Sequence, residues 1–216
     1  MIVLAHRGSV EEGMHENTLD AFQLAKDKGA HGIETDVRLT KDKELVLFHN
    51  HSVGKRRIRD LTYKQLQARV GYKVPTLHDL LKWSSNTFML NIEVKEFETV
   101  NAVGAELKRY PRRDIVVSSF HHPTAFKLAR GLNMPCALLM PSRPIFIKPF
   151  FELIPAMLRY VIWDYDVYDP TYKSELALYE HWIYNVGELK PTKDKKADGI
   201  ISDHLDIHIR TKPLKV

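Results

Sequence analysis

The sequence predicts an α/β protein, and within that class a single-domain (β/α)₈ barrel, or TIM barrel. Short apolar runs rich in β-branched residues alternate with helical patterns along most of the chain, which is typical of βαβ units and a parallel sheet. Eight such runs share 216 residues, about 27 per unit, so a barrel of about 250 residues has to be trimmed somewhere. Polar residues close four of the runs, as expected at the mouth of a barrel. An open, doubly wound sheet is the competing architecture.

The elements follow from the period of the apolar residues and from the residues that bound each run. Strands are predicted at residues 2–6, 31–37, 44–49, 89–95, 115–119, 136–140, 181–186 and 199–202, with 160–165 as a candidate ninth. Helices are predicted at residues 18–28, 76–84, 98–109, 123–131 and 171–180. Asn17 is the expected cap of the first helix and Gly29 its end, and Thr76 is the expected cap of the second.

One helix of the barrel is predicted to be missing, between strands 2 and 3. Residues 37–43 are too few for a crossover helix. Seven extended residues nevertheless span about 23 Å at about 3.3 Å each, which is enough to return along the barrel. We therefore expect an extended connection in place of this helix.

Composition narrows the class of protein. Hydrophobic residues make up 44% of the chain and charged residues 27%, which excludes intrinsic disorder. A single cysteine, Cys136, and the lack of a secretory signal or of a 20-residue apolar segment predict a cytoplasmic protein without a transmembrane segment. The net charge of +5 is modest, and the basic runs at 55–59 and 193–196 are typical of solvated surface, so no nucleic-acid partner is predicted. The oligomeric state is left open.

Polar side chains at the ends of four predicted strands form the candidate site. These ends are His6-Arg7, Glu34-Thr35-Asp36, His49 and Glu93-Val94-Lys95. Residues two apart on a strand point to the same face, so Glu34 joins Asp36 and Glu93 joins Lys95. All of these side chains are expected at the barrel mouth, where parallel strands end.

Three carboxylates at one mouth have to be neutralised. Two like charges about 4 Å apart repel by about 4 kcal/mol at an effective dielectric constant of about 20. Protonation, Lys95 or a bound cation can each supply the neutralisation, and a salt-bridged structural cluster is the alternative to a metal site. Glu34, Asp36 and Glu93 offer oxygen ligands without cysteine or histidine at zinc spacing. This set favours Mg²⁺ or Ca²⁺, with Mn²⁺ as a further candidate.

Two histidines beside these carboxylates indicate acid and base catalysis. An imidazole with a pKa near 6.5 can take or give a proton at neutral pH, so His6 and His49 can divide the two roles. Arg7 and Lys95 can bind and stabilise the charge of a phosphoryl group. The sequence has neither GxGxxG nor a Walker lysine motif. The constellation therefore predicts phosphodiester cleavage rather than nucleotide-dependent transfer.

An ordered set of motifs resembles the glycerophosphodiester phosphodiesterase family. The matching segments are Ala5-His6-Arg7-Gly8, Glu16-Asn17-Thr18-Leu19, Gly32-Ile33-Glu34-Thr35-Asp36-Val37, Thr40-Lys41-Asp42, His49, Pro75-Thr76-Leu77, Asn91-Ile92-Glu93-Val94-Lys95, Ser118-Ser119-Phe120 and Asp198-Gly199-Ile200-Ile201-Ser202-Asp203. The resemblance implies a phospholipase C-like barrel that hydrolyses glycerophosphodiesters to sn-glycerol 3-phosphate and an alcohol. It implies Glu34, Asp36 and Glu93 as metal ligands, His6 and His49 as general acid and base, and one domain over residues 1–216 with a small insert near 51–72.

Three positions depart from the family pattern. Asn50 follows His49 where the family usually has aspartate, which affects the support of the histidine. Residues 182–185 keep only the first and last positions of the family's Trp-Thr-Val-Asn, and residues 202–205 lose the proline of Thr-Asp-x-Pro. Trp182 matches the family's tryptophan and is the candidate wall against the carbon atoms of a substrate.

Other functions stay open at this point. Residues 145–163 are rich in phenylalanine, leucine and proline and could form an apolar lip beside the mouth, which would suit lysophospholipase D-type hydrolysis of lysophospholipids. The alternative for this stretch is a strand and helix of the barrel wall. A catalytically silent relative is a further alternative, suggested by Asn50 and opposed by the intact histidines and acids.

Overall fold

A computed structural model describes residues 1–84, 87–110, 114–132, 134–141, 158–186 and 196–209. The strands in these ranges are β1 (Ile2–His6), β2 (Gly32–Leu39), β3 (Leu45–Leu47), β4 (Ser52–Val53), β5 (Arg56–Arg57), β6 (Met89–Val94), β7 (Ile115–Ser119), β8 (Cys136–Leu139), β9 (Leu158–Asp164), β10 (Glu180–Tyr184) and β11 (Gly199–Ser202). The α-helices are α1 (Leu19–Asp27), α2 (Tyr63–Val70), α3 (Leu77–Trp83), α4 (Val100–Arg109), α5 (His122–Leu132), α6 (Tyr172–Glu175) and α7 (Leu205–His208). Two 3₁₀ turns lie at Ile58–Asp60 and Phe97–Thr99.

Eight parallel strands close into a barrel, which confirms the predicted fold class. Around the ring the order is β1, β11, β10, β9, β8, β7, β6 and β2, and the pairing of β1 with β2 completes the circle. Because all eight strands run in the same direction, their carboxyl ends meet at one mouth.

The third strand of the chain is not a barrel strand. β3 pairs antiparallel with β2, Val37 lying opposite Leu47, and β9 takes the place in the ring that the sequence analysis gave to residues 44–49. Thr40 closes the connecting turn, because its amide donates to the Glu44 carbonyl at 3.0 Å and its hydroxyl accepts from the Glu44 amide at 2.9 Å. No helix lies between β2 and β3, as predicted, but the expected extended return along the barrel was wrong. So short a connection can join only antiparallel strands.

The segment predicted as an insert forms a small unit after β3. β4 and β5 make a hairpin, a 3₁₀ turn follows, and α2 begins with a capping box between Thr62 and Gln65. α2 ends at Gly71, whose φ of 77° is the left-handed conformation that glycine adopts most readily. Ile58 and Leu66 pack on Val46 of β3, which fixes the unit against the barrel.

Apolar side chains form two layers, one inside the barrel and one between the strands and the helices. Leu4, Val116, Ile162 and Trp182 belong to the inner layer. The outer layer is larger and includes Phe22 of α1, together with side chains of α3, α4 and α5. Within the described ranges, every helix is too short or too polar to cross a membrane.

The helices differ from prediction mainly at their ends. The cap of α1 is Thr18, whose hydroxyl accepts from the Ala21 amide at 3.3 Å, and not the predicted Asn17. α3 begins at a capping box between Thr76 and Asp79, as its sequence predicts. The helix predicted at residues 171–180 is reduced to the single turn α6.

Candidate active site

Three strands bring the predicted acidic and basic residues to the barrel mouth. His6 ends β1 and lies in register with Glu34 of β2. Asp36, two residues further along β2, lies in register with Glu93 of β6. Side chains in register on neighbouring strands share a face, so these four groups face the barrel interior together. Lys95 follows β6 directly.

The three carboxylates form a buried cluster. One oxygen each from Glu34, Asp36 and Glu93 lie within 4.8 Å of one another. The Lys95 ammonium lies 2.7 Å from a carboxylate oxygen of Asp36 and 2.7 Å from one of Glu93. The backbone amide of Arg7 donates to Glu34 at 3.3 Å, and the Arg7 side chain lies 3.4 Å from Asp36. Two cationic side chains thus face three acids.

The pKa values of the three carboxyl groups shift in different directions. Burial and the repulsion by Asp36 raise the pKa of Glu34 to about 8. Burial also raises the pKa of Glu93, although Lys95 opposes the shift. Burial acts in the same sense on Asp36, but Lys95, Asn17 and Arg7 outweigh it and lower the pKa of Asp36. Burial and mutual repulsion therefore disfavour the charged forms of Glu34 and Glu93, and Lys95 and Arg7 favour the charged form of Asp36.

A hard divalent cation fits this donor set. The candidate ligands are all oxygens, they lie within 4.8 Å of one another, and burial together with repulsion by Asp36 raises the pKa values of Glu34 and Glu93. Mg²⁺, Ca²⁺ and Mn²⁺ prefer carboxylate oxygens of this kind. Glu34, Asp36 and Glu93 are the residues that would hold it.

Asn17 is part of the site, which sequence reasoning missed. Its amide nitrogen donates to Asp36 at 2.9 Å, and its amide oxygen accepts from the Thr35 hydroxyl at 2.6 Å and from the Asp36 amide at 3.3 Å. Its backbone amide donates to the Arg7 carbonyl. Asn17 and Arg7 both adopt left-handed backbone, with φ of 57° and 56°. Asparagine tolerates the left-handed conformation better than most residues do. Because Asn17 lies just before a helix, the sequence predicted it as a helix cap instead.

His6 is held between two acids. Its Nδ1 lies 2.8 Å from Asp203, which follows β11, and its Nε2 lies 3.9 Å from Glu34. Burial alone would lower the pKa of His6, but the hydrogen bond with Asp203 and the proximity of Glu34 outweigh burial and raise it. Asp203 was matched to a family motif without a role, and the structure makes it the partner of His6.

His49 follows β3 and is held by its backbone. The Arg38 side chain donates to the His49 carbonyl at 2.9 and 2.6 Å, and the Phe48 amide donates to the Asp36 carbonyl at 3.0 Å. The Nδ1 atom of His49 lies 3.0 Å from the side-chain oxygen of Asn50. An amide oxygen only accepts, so in the neutral imidazole Nδ1 carries the proton and Nε2 is the nitrogen without one. Burial lowers the pKa of His49.

Trp182 lies deeper than a substrate wall would. It is 0% exposed inside the barrel, its ring centroid is 4.7 Å from that of Tyr160, and a Cβ at Gly199 would lie 2.8 Å from the indole. Tyr184, two residues nearer the mouth on the same strand face, forms an edge contact with Phe120 with ring centroids 5.7 Å apart. The aromatic side chain of β10 nearest the mouth is therefore Tyr184.

Other sequence features are distributed around the barrel. Of the predicted apolar lip, residues 145–157 lie outside the described residues, and residues 158–164 are strand β9 of the barrel wall, with Trp163 fully buried. The basic run at 193–195 also lies outside them. The basic run at 55–59 is in the insert, where Arg57 and Arg59 line a cavity of about 490 Å³ that extends to Glu96.

The fold and the site together define a parallel α/β barrel whose mouth holds three clustered carboxylates, two cationic side chains and two histidines. Residues 6–140 match the model of the glycerophosphoryl diester phosphodiesterase family. The chain belongs to this family, which confirms the resemblance noted in the sequence and the prediction of an enzyme.

Full-length relatives agree with this assignment. A glycerophosphodiester phosphodiesterase of Caldanaerobacter subterraneus is 28% identical, over 94% of this chain and 93% of the relative. The crystal structure of glycerophosphodiester phosphodiesterase from Thermotoga maritima is similar with a TM-score of 0.81 and 27% identity, covering 96% of both chains. Human lysophospholipase D is 27% identical, over 93% of this chain and 82% of the relative.

Proposed function

We propose that this chain hydrolyses glycerophosphodiesters to sn-glycerol 3-phosphate and an alcohol with the help of a divalent cation. The observation that carries the proposal is the convergence of Glu34, Asp36 and Glu93 within 4.8 Å, beside His6 and the cationic side chains. The catalytic and metal-binding roles of these residues are part of the proposal.

A cation held by Glu34, Asp36 and Glu93 would supply positive charge to the phosphoryl oxygens. The chain's own residues do the rest. Lys95 and Arg7 bind the phosphoryl group, since both cations already lie against the cluster and can turn toward an anion there. Positioning and charge neutralisation are the main requirements for phosphoryl chemistry.

The two histidines divide the proton transfers according to their partners. Asp203 stabilises the protonated form of His6, which suits the acid that gives a proton to the departing alcohol. His49 donates from Nδ1 to the uncharged Asn50 and leaves Nε2 to accept a proton, which suits the base. His49 then takes the proton of the attacking hydroxyl, either from water or from the substrate's own glycerol. Trapping of a cyclic phosphate would identify the second route.

The test is an assay of glycerophosphocholine and glycerophosphoethanolamine with Mg²⁺, Ca²⁺, Mn²⁺ or EDTA. We expect release of sn-glycerol 3-phosphate that requires the cation and stops with EDTA. Absence of metal-dependent release from any of a panel of diesters would contradict the proposal. The same panel ranks the headgroups and the cations by the turnover that they support.

A second candidate function is hydrolysis of lysophospholipids at the same site. Two large apolar side chains are exposed in the loops that follow barrel strands at the mouth, Phe97 after β6 at 43% and Phe120 after β7 at 42%. Such side chains suit the acyl chain of a lysophospholipid. Turnover of lysophosphatidylcholine and glycerophosphocholine is to be compared, and activity on the water-soluble diester alone would dismiss the lipid substrate.

The predicted cytoplasmic location stays a prediction.

A further inference from the structure

Asn91 and Ser118 are among the polar side chains inside the barrel that lack a hydrogen-bond partner within the described residues. Asn91 of β6 and Ser118 of β7 are both 0% exposed. Within the part of the chain that the structure describes, no group bonds to either amide atom of Asn91 or to the Ser118 hydroxyl. Buried polar groups in folded proteins are nearly always paired, with protein or with ordered water. These three atoms therefore need partners that the described residues do not supply.

Both side chains lie next to carboxylates of the cluster. Asn91 is in register with Glu34 across the β2–β6 pair, and Ser118 is in register with Glu93 across the β6–β7 pair. Neighbours in register share a face of the sheet. Asn91 also precedes Glu93 by two residues on the same strand, so it lies one layer deeper in the barrel. The unpaired atoms of Asn91 thus lie beside Glu34 and one layer below Glu93, and the Ser118 hydroxyl lies beside Glu93.

The surroundings suit water better than another protein group. The next residues in register are small or apolar, Val116 beside Asn91 and Ala137 beside Ser118, and neither side chain can donate or accept. A buried water needs two to four polar partners. An amide, a hydroxyl and the adjacent carboxylates provide them.

We infer that Asn91 and Ser118 hold ordered water beneath the cluster, and that this water fixes Glu34 and Glu93 in the orientation that a cation requires, an inference that rests on the proposed function. Both are positioning residues, since they act through water on the carboxylates. Substituting a group that hydrogen-bonds to a metal ligand and orients it commonly lowers metal affinity by about 10- to 100-fold.

The test compares two inner-face variants with an outer-face control. Ser118→Ala and Asn91→Leu remove the unpaired groups. Ser119→Ala is the matched control, because Ser119 is the next residue of β7 and its hydroxyl is fully paired, donating to the Val94 carbonyl at 2.8 Å and accepting from the His121 amide at 3.1 Å. Mn²⁺ affinity is measured by calorimetry, and the stability of the metal-free protein by denaturant unfolding.

We expect opposite responses from the two faces of β7. Ser118→Ala and Asn91→Leu should weaken Mn²⁺ binding at least tenfold while the metal-free protein loses less stability than Ser119→Ala does, since these variants remove hydrogen bonds to water and leave every hydrogen bond within the polypeptide in place. Ser119→Ala should lower stability and leave Mn²⁺ affinity unchanged. Wild-type Mn²⁺ affinity in both inner-face variants would overturn the inference.

A crystal structure of the metal-free protein provides an independent measurement. Water within hydrogen-bond distance of Asn91 and Ser118, lost in Ser118→Ala, is the expected result, and a dry interior would refute the inference. Failure of the proposed function is distinguishable, because the wild-type protein itself would then bind no Mn²⁺. Failure of the inference alone leaves wild-type Mn²⁺ binding intact.

Discussion

Replacing Asn17 by alanine should destabilise the metal-free protein by about 4 kcal/mol. The side chain is buried and makes three hydrogen bonds, one to the Asp36 carboxylate and two accepted from Thr35 and Asp36. A hydrogen bond to a charged group is worth about 1.5–3 kcal/mol and a neutral one about 1 kcal/mol. Alanine also loses the tolerance of asparagine for the left-handed backbone at this position.

The assay is denaturant unfolding with a chelator present, so that no cation compensates for the lost bonds. Asn17→Gly separates the two causes, because glycine accepts the backbone conformation but makes none of the side-chain bonds. Asn101→Ala, at an exposed position of α4, is the control and should change the free energy of unfolding by less than about 0.5 kcal/mol. A loss below about 1 kcal/mol in Asn17→Ala would show that these bonds do not hold Asp36 and the loop after β1 in place.

Four further outcomes are expected. Glu93→Gln should weaken cation affinity and reduce the rise in melting temperature that the cation produces, and an unchanged rise would remove Glu93 from the ligand set. His49→Ala should lower turnover by about 10²- to 10⁴-fold at saturating metal and substrate while cation binding survives; near-normal turnover would remove His49 from the mechanism. Asn50→Asp should keep or raise turnover, because a carboxylate orients His49 more firmly, and a large loss would contradict that role. Burial lowers the pKa of the His181 imidazole, so the unfolded chain binds a proton at this ring more readily than the folded protein does. The contribution of His181 to stability is therefore complete above about pH 6.5 and falls as the pH drops below that value. His181→Gln should lack this part of the pH dependence, measured by unfolding at about pH 5–8.

Much of the candidate site could be predicted because its residues obey a local rule. Glu34 and Asp36 are two apart on one strand, as are Glu93 and the residue that follows β6, Lys95. The alternation of side chains along a strand places each pair on one face, and parallel strands carry both pairs to one mouth. Neither step needs knowledge of distant contacts.

Strand direction and side-chain depth could not be predicted in this way. The run at residues 44–49 carries the same apolar signal as a barrel strand, and only the short turn at Thr40 makes β3 antiparallel. In the sequence, Trp182 is indistinguishable from an aromatic side chain at the barrel mouth, but how deep its ring lies in the barrel depends on the space that Gly199 leaves on the neighbouring strand. Asn17 satisfies the rules for a helix cap as well as those for a buried amide, and its partner Asp36 is 19 residues away.

The hairpin formed by β2 and β3 links the carboxylate cluster to His49. β2 supplies two of the three acids, and it also holds His49, through the bond from the Phe48 amide to the Asp36 carbonyl and the bonds from Arg38 to the His49 carbonyl. A crossover helix in this position would carry the chain away from the mouth, whereas a hairpin returns it within a few residues. Disturbing β2 should therefore affect the acids and His49 together. Substituting the side chains of Glu93 and His49 leaves that backbone in place, which is why these two variants separate cation binding from proton transfer.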